Sequence, residues 1–266
     1  MSPLPLHPVY EQLPTVEGFH WSLVIGLGPL AESLIDYLPE RLTLSQDAGL
    51  YRSGQPGPQP PVSRLEERLA KTANALVIVD AADPLAREQA GYWSQCFAAA
   101  GVYLHTTLIL NATVNRGEDQ WLQALRATYI EVFQDESLPD QISVALALLP
   151  GFAFMQGASL IRYDVFDLGS ILSTGTHAQT TAIRWTYPEP PETLITQAIS
   201  RLAKPSCTGA LALFNCSLDF DLAEHDEVSD LLGRLVPDDA LYGTLLMPSG
   251  DLADQERVLS LTLVYA

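Results

Sequence analysis

Two pairs of carboxylates in this chain have a spacing that could serve chemistry. Asp164 and Asp167 lie three residues apart, after an apolar stretch and before a run of strand-like segments. Asp80 and Asp83 have the same spacing and directly follow the apolar residues 75–79. Residues three apart share one helical turn, so such a pair can act in chemistry, meet a partner protein or simply cap a helix.

The segments that position these acids alternate between strand and helix. Residues 1–20 are rich in proline and predict an extended arm. The alternation over residues 21–139 predicts an α/β half with a parallel sheet of the doubly wound kind, covered on both faces. An apolar helix over residues 140–157 then leads to a smaller α/β half, residues 158–266, with a mixed four-stranded sheet. The strands expected in the first half cover residues 21–25, 75–79, 102–110 and 128–133, and those in the second half cover 181–187, 208–216, 240–247 and 258–266. Helices are expected over 85–100, 120–126 and 191–203. A further helix is expected from Asp221, where Glu224 completes a capping box.

Composition excludes two classes of partner. The 266 residues include 14 basic and 32 acidic side chains, which gives a net charge of −18. Nucleic acids and anionic membrane surfaces both attract positive charge, so neither is expected as a partner. The acids are concentrated between Asp219 and Arg257, a segment interpreted as a solvated acidic face.

Cysteine and histidine show no pattern of a metal site or a disulfide framework. Cys96 and Cys216 lie in apolar runs and are expected to be buried thiols, and His225 is expected at a helix surface. No metal ligand and no catalytic residue is predicted. The amino terminus has no signal-peptide pattern, and no apolar run reaches the roughly 18 residues of a membrane span. A cytoplasmic protein without a direct membrane anchor is therefore expected.

Several segments resemble the tubulin/FtsZ superfamily. The sequence LIRYDVFDL, residues 160–168, is similar to the family loop L-I-N-x-D-F-x-D-V. LYGTLL, residues 241–246, stands where the family has I-x-x-G-x-x-I, and ERVLSLTLV, residues 256–264, is similar to E-V-R-V-T-V-I-A. Near the amino end, VIGLG, residues 24–28, is a fainter match to V-I-G-V-G-G-G-G. The resemblance implies a Rossmann-like nucleotide half, a central helix and an FtsZ-like carboxyl-terminal half, and it implies a cytoskeletal role such as bacterial cell division.

The nucleotide loops of that family are degenerate in this chain. Polyphosphate binding needs successive backbone N–H groups, and the family supplies them with G-G-G-T-G-[ST]-G after the strand that here ends at residue 79. This chain has DAADPLAR instead, in which Asp80 and Asp83 bring negative charge and Pro84 has no N–H. Gly26 and Gly28 form a lone G-x-G, which is weak evidence for a nucleotide site because a tight turn alone also explains it. Residues 142–149 of the expected central helix carry no side chain that can pair with guanine. We therefore expect no cofactor, GTP included.

The acidic loop, by contrast, keeps its carboxylates. In FtsZ these reach the nucleotide of the next subunit, and here they correspond to Asp164 and Asp167, while the family asparagine is replaced by Arg162. The resemblance thus implies a pseudo-GTPase that contacts a protein partner, FtsZ or a second copy, through Arg162, Asp164 and Asp167. Three alternatives remain: the two acids only cap a helix, the chain is a divergent filament-forming GTPase, or it is an unrelated α/β protein that binds a small ligand at its first strand–helix turn.

Overall fold

The chain divides into two compact units, Met1–Gln134 and Asp135–Ala266, referred to below as unit 1 and unit 2. The computed structural model describes residues 21–34, 49–52, 69, 72–112, 120–126, 128–133, 165–189, 191–202, 207–248 and 252–266. The expected arm, residues 1–20, and the expected central helix, residues 140–157, lie outside these ranges.

Unit 1 contains a parallel sheet in which the strand order is β2-β1-β3-β4-β5. Four strands were predicted from their apolar runs, and their observed ends differ from the predicted ends by a few residues at most. Their central side chains are buried, as expected for a sheet covered on both faces. The short strand β2 was not predicted, because its four residues show no apolar run. The strands are β1 (Trp21–Leu27), β2 (Gly49–Arg52), β3 (Thr72–Asp80), β4 (Leu104–Ala112) and β5 (Tyr129–Phe133).

Helix α1 (Pro84–Ala100) covers this sheet with an apolar stripe. Ala86, Ala90, Trp93 and Phe97 recur at helical spacing and are buried against side chains of β1 and β3. Helix α1 begins one residue before the predicted start and ends where predicted. The helix expected over residues 120–126 is only a 3₁₀ turn, Leu122–Ala124, beside α1.

Unit 2 contains a mixed four-stranded sheet in the order β6-β9-β7-β8. Strand β9 is antiparallel to both β6 and β7, while β8 is parallel to β7. The prediction of four strands in one mixed sheet, with the last two strands together, is confirmed. The strands are β6 (His177–Thr186), β7 (Cys207–Cys216), β8 (Leu241–Pro248) and β9 (Glu256–Tyr265).

Three described helices belong to unit 2: α2 (Val165–Leu172), α3 (Glu192–Leu202) and α4 (Leu222–Leu235). The predicted capping box of α4 is confirmed. An Asp221 carboxylate oxygen accepts from the backbone N–H of Ala223 at 3.0 Å, and Glu224 Oε1 accepts from the backbone N–H of Asp221 at 3.0 Å. Within the described residues, no helix has the length and apolar character needed to cross a bilayer.

One expectation for unit 2 was wrong. His225 is buried, not exposed, because it lies on the stripe of α4 that also contains Val228 and Leu232, and its ring centroid is 6.2 Å from that of Phe214. The acidic segment is mostly exposed, as expected, but Asp219 and Glu224 within it also bind a buried arginine of β9. Cys216 is a buried thiol as expected, whereas Cys96 is only half-buried.

Candidate functional site

The candidate site lies at the carboxyl edge of the unit 1 sheet. Parallel strands end at the same edge, and the register pairs Leu27 of β1 with Val79 of β3 and Asp80 of β3 with Leu110 of β4. Gly28, Asp80 and Asn111 therefore lie next to one another. With Asp83 they form a group that we call the strand-end cluster.

Asp80 is the centre of this cluster and is almost fully buried, with 7% of its surface exposed. Its Oδ2 accepts a hydrogen bond from the backbone N–H of Leu30 at 3.3 Å. Its Oδ1 accepts from the backbone N–H of Ala82 at 3.1 Å and from the side-chain amide of Asn111 at 3.0 Å. These donors come from three separate segments of the chain, and they compensate the cost of burying a carboxylate.

Gly28 is required by the close approach of Asp80. Its φ of +87° lies in the left-handed region, where residues with a side chain are strained. A Cβ at this position would lie 2.9 Å from the Cβ of Asp80 and 3.3 Å from those of Asp83 and Ala86. Gly28 therefore has two roles. It forms the tight turn that the sequence suggested, and its lack of a side chain leaves room for Asp80. Gly26, in contrast, lies inside β1 and pairs with β2 and β3, so it forms no turn.

Asp83 caps the amino terminus of α1, which is one of the roles that the sequence left open for this pair of acids. Its Oδ1 accepts from the backbone N–H of Leu85 at 2.9 Å, and its own N–H donates to the carbonyl of Asp80 at 3.0 Å. Pro84 occupies the first turn, where its missing N–H costs no hydrogen bond. The positive end of the helix dipole thus already has an anion beside it.

The chemistry of the strand-end cluster follows from where its donors point. Backbone N–H groups at strand ends and helix amino termini bind phosphate in many proteins. Here the N–H groups of Leu30, Ala82 and Leu85 donate to carboxylates of the chain itself. The cluster resembles an anion site that the protein fills with its own side chains. Among the described residues, no group of three or more His, Cys, Asp and Glu side chains is placed to hold a metal ion.

The structure places one of the three predicted interface residues. Asp167 is exposed in the first turn of α2, which begins at Val165. A carboxylate there is favourable for the helix dipole, which agrees with the helix-cap alternative. Arg162 and Asp164 lie outside the described residues, so their arrangement with Asp167 stays a prediction.

The sequence analysis missed an arginine network in unit 2. Arg257 is fully buried, and its guanidinium donates to Glu224 Oε2 at 2.6 Å, to Glu224 Oε1 at 3.0 Å and to Ser217 Oγ at 2.6 Å. An oxygen of Asp219 lies 3.3 Å from Nη1, and the guanidinium carbon lies 5.6 Å from the ring centroid of Tyr187. The one local signal of this network in the sequence is an arginine at the start of a strongly apolar strand.

Electrostatic effects follow from these contacts. The hydrogen bond to Glu224 is the main reason that the pKa of Arg257 is raised. The pKa of Asp219 is lowered, first by the Ser217 hydroxyl and then by the Gln255 amide and Arg257. Burial raises the pKa of the Cys216 thiol to about 12, which makes it a weak nucleophile. Because the guanidinium is occupied by residues of the chain, we assign the network a structural role.

Comparison with known proteins gives matches in structure alone. No protein-family model matches the chain, and no curated protein sequence matches it. FtsZ from M. jannaschii, as an empty dimer, superposes with a TM-score of 0.69 at 13% identity, over 96% of this chain and 90% of that chain. CetZ2 from Haloferax volcanii, as a GTPγS-bound protofilament, gives a TM-score of 0.55 at 14% identity, over 91% and 92%. TubZ from Bacillus thuringiensis serovar israelensis, as a GTPγS-form protofilament, gives 0.51 at 11% identity, over 93% and 87%. The expected tubulin/FtsZ-like fold is thereby confirmed.

Proposed function

We propose that this chain is an FtsZ-like protein that works by associating with protein subunits and does not use a bound nucleotide. The observation that carries the proposal is the Asp80 carboxylate, which accepts hydrogen bonds from the Leu30 and Ala82 backbone where a phosphate would need them. The three cysteines are free thiols, which supports the expected cytoplasmic setting.

The energetic argument concerns Asp80. A phosphate charge about 5 Å from this carboxylate would be repelled by roughly 3 kcal/mol at an effective dielectric constant near 20. The phosphate would also have to compete for N–H groups that already have a charged acceptor. Asp83 adds a second negative charge at the amino terminus of α1. Both effects oppose the binding of a triphosphate.

Association with protein subunits is supported by the fold. The similar structures include an FtsZ dimer and protofilaments of CetZ2 and TubZ. A subunit that has lost its nucleotide end but keeps an acidic loop has one competent end. We infer that it adds to a filament terminus, of FtsZ or of a related protein, and limits its growth through Arg162, Asp164 and Asp167.

The second candidate is a divergent GTPase that forms filaments. The specific observation in its favour is that the CetZ2 and TubZ neighbours are described with GTPγS. The two candidates differ in nucleotide affinity. Isothermal titration calorimetry of the purified protein with GTP, with and without magnesium, is expected to show no binding in the micromolar range. Micromolar affinity, or GTP turnover that an Asp164→Ala variant lacks, would favour the GTPase.

The association itself is tested by co-sedimentation with FtsZ-like filaments from the same cell. The wild type is expected to sediment with the filaments, and an Arg162→Glu, Asp167→Lys double variant is expected to remain in the supernatant. Glu88→Lys, a charge reversal at an exposed position of α1, is the control and is expected to sediment like the wild type. The proposal is wrong if the wild type does not sediment, or if it and the double variant sediment equally.

A further inference from the structure

Three exposed apolar residues lie at one end of the unit 2 sheet. Tyr187 follows the last residue of β6, Leu218 follows the end of β7, and Leu222 begins α4. The exposed fractions are 43% for Tyr187, 70% for Leu218 and 52% for Leu222. We call these three residues the leucine–tyrosine patch. Large apolar residues that are exposed together, and not singly, are typical of an interaction surface.

The patch rests on a fixed base. The guanidinium of Arg257 contacts the ring of Tyr187, the hydroxyl of Ser217 beside Leu218, and the carboxylate of Glu224 in the first turn of α4. One buried side chain thus joins the three segments that carry the patch. Two further hydrogen bonds add to this, because the backbone N–H of Tyr187 donates to the Gln255 carbonyl at 2.9 Å and the backbone N–H of Gln255 donates to the Asp219 carboxylate oxygen Oδ2 at 3.1 Å. A surface held in this way loses little conformational freedom when a partner binds.

The charges around the patch identify the partner's chemistry. Glu189, Asp221 and Asp226 are exposed near it, and the Asp226 side chain is 80% exposed. The two arginines of this region bring little positive charge to the surface, since Arg257 is buried and Arg184 forms an ion pair with Glu256. The patch is therefore an apolar surface with an acidic border.

We propose that the leucine–tyrosine patch docks a protein segment in which leucine or an aromatic residue is flanked by lysine or arginine. The apolar side chain contacts Leu218 and Leu222, and the basic side chains lie against the acidic border. A second copy of this chain is disfavoured as the occupant, because it would bring carboxylates against carboxylates in a protein of net charge −18. The inference does not depend on the proposed function, which concerns the strand-end cluster and the loop before α2.

The test uses the full chain and fluorescein-labelled synthetic peptides, with binding followed by fluorescence anisotropy at roughly 0.15 M salt. The probe is a short peptide of alternating leucine and lysine. One companion peptide has serine in place of each leucine, and another has glutamate in place of each lysine. The wild type is expected to bind the leucine–lysine peptide and neither companion.

Variants locate the binding. A Leu218→Ser, Leu222→Ser variant is expected to bind the leucine–lysine peptide roughly tenfold more weakly or worse, because two apolar contacts are lost. An Asp221→Asn, Asp226→Asn variant keeps an asparagine cap on α4 and is expected to weaken binding roughly threefold. Leu241→Ser is the matched control, because this leucine is 45% exposed at the opposite end of the same sheet. It is expected to leave binding unchanged.

Several results would overturn the inference. One is the absence of binding by the wild type, and another is equal binding by the wild type and the Leu218→Ser, Leu222→Ser variant, once circular dichroism shows that both are folded. Binding of the serine–lysine peptide as tightly as the leucine–lysine peptide would show that charge attraction alone accounts for the binding. Sedimentation velocity adds a further check, since a wild-type dimer that this double variant abolishes would assign the patch to a second copy.

Discussion

The side-chain amide of Asn111 donates a hydrogen bond of 3.0 Å to the carboxylate of Asp80, across the ends of two neighbouring strands. Asn111 adopts a φ of +56°, a left-handed conformation that asparagine tolerates better than most residues. The pair therefore joins a special backbone conformation to a buried charge. It makes Asp80 part of the packing of unit 1.

Replacement of Asp80 by alanine is expected to destabilise unit 1. The change removes the acceptor for Leu30, Ala82 and Asn111 and deprives these partly buried donors of their charged partner, at a cost of about 1–3 kcal/mol. Asp80→Asn keeps one acceptor oxygen and is expected to cost less. Urea unfolding measures the free energy of unfolding of both variants. Glu88→Gln, on the exposed face of α1, is the control and is expected to change this free energy by nearly zero. Equal stability of Asp80→Ala and wild type would show that the contacts contribute nothing.

Gly28→Ala is expected to destabilise the protein by more than the same change at Gly101. Both glycines have positive φ values, +87° and +71°, so both substitutions add backbone strain of about 1 kcal/mol or more. At Gly28 the new methyl group would also meet the Cβ of Asp80 at 2.9 Å, whereas at Gly101 nothing lies within 4 Å. The difference between the two variants in urea unfolding isolates the steric contact. The two losses of stability would be equal if Asp80 could move away freely.

The sequence predicts the elements well and the contacts between them poorly. Apolar runs and helical stripes identified both sheets, and the Asp221–Glu224 box was found because capping is local. The position of His225 was also predictable, since it precedes Val228 by three residues on the buried stripe. The contacts of Asp80 could not be predicted, because its partners lie 50 and 31 residues away along the chain.

Glu224→Gln is expected to cost about 3 kcal/mol of stability, because it leaves the guanidinium of Arg257 buried with much of its charge unpaired. Glutamine keeps an oxygen for the cap of α4, so the loss reports the ion pair and not the cap. The control is Arg184→Gln, which breaks the exposed pair with Glu256 and is expected to cost less than about 1 kcal/mol. Urea unfolding, fitted with one transition for each unit, measures the loss of stability of each variant. Similar losses for both variants would mean that burial of Arg257 does not strengthen its pairing.

Asp219 is expected to make stability fall in acid. Its pKa is lowered in the folded chain, first by the hydrogen bond from Ser217 and then by Gln255 and Arg257. The folded state therefore binds fewer protons at this group than the unfolded state does. Its contribution is complete above the ordinary aspartate pKa of about 3.9 and is lost as the pH falls through the lower folded value.

The free energy of unfolding of wild type minus that of Asp219→Asn should be constant near neutral pH and shrink in this acid range. Ser217→Ala removes the largest cause of the lowered Asp219 pKa, and it should therefore move the loss of the Asp219 contribution to higher pH. A difference that stays constant into strong acid, or grows there, would contradict the lowered pKa.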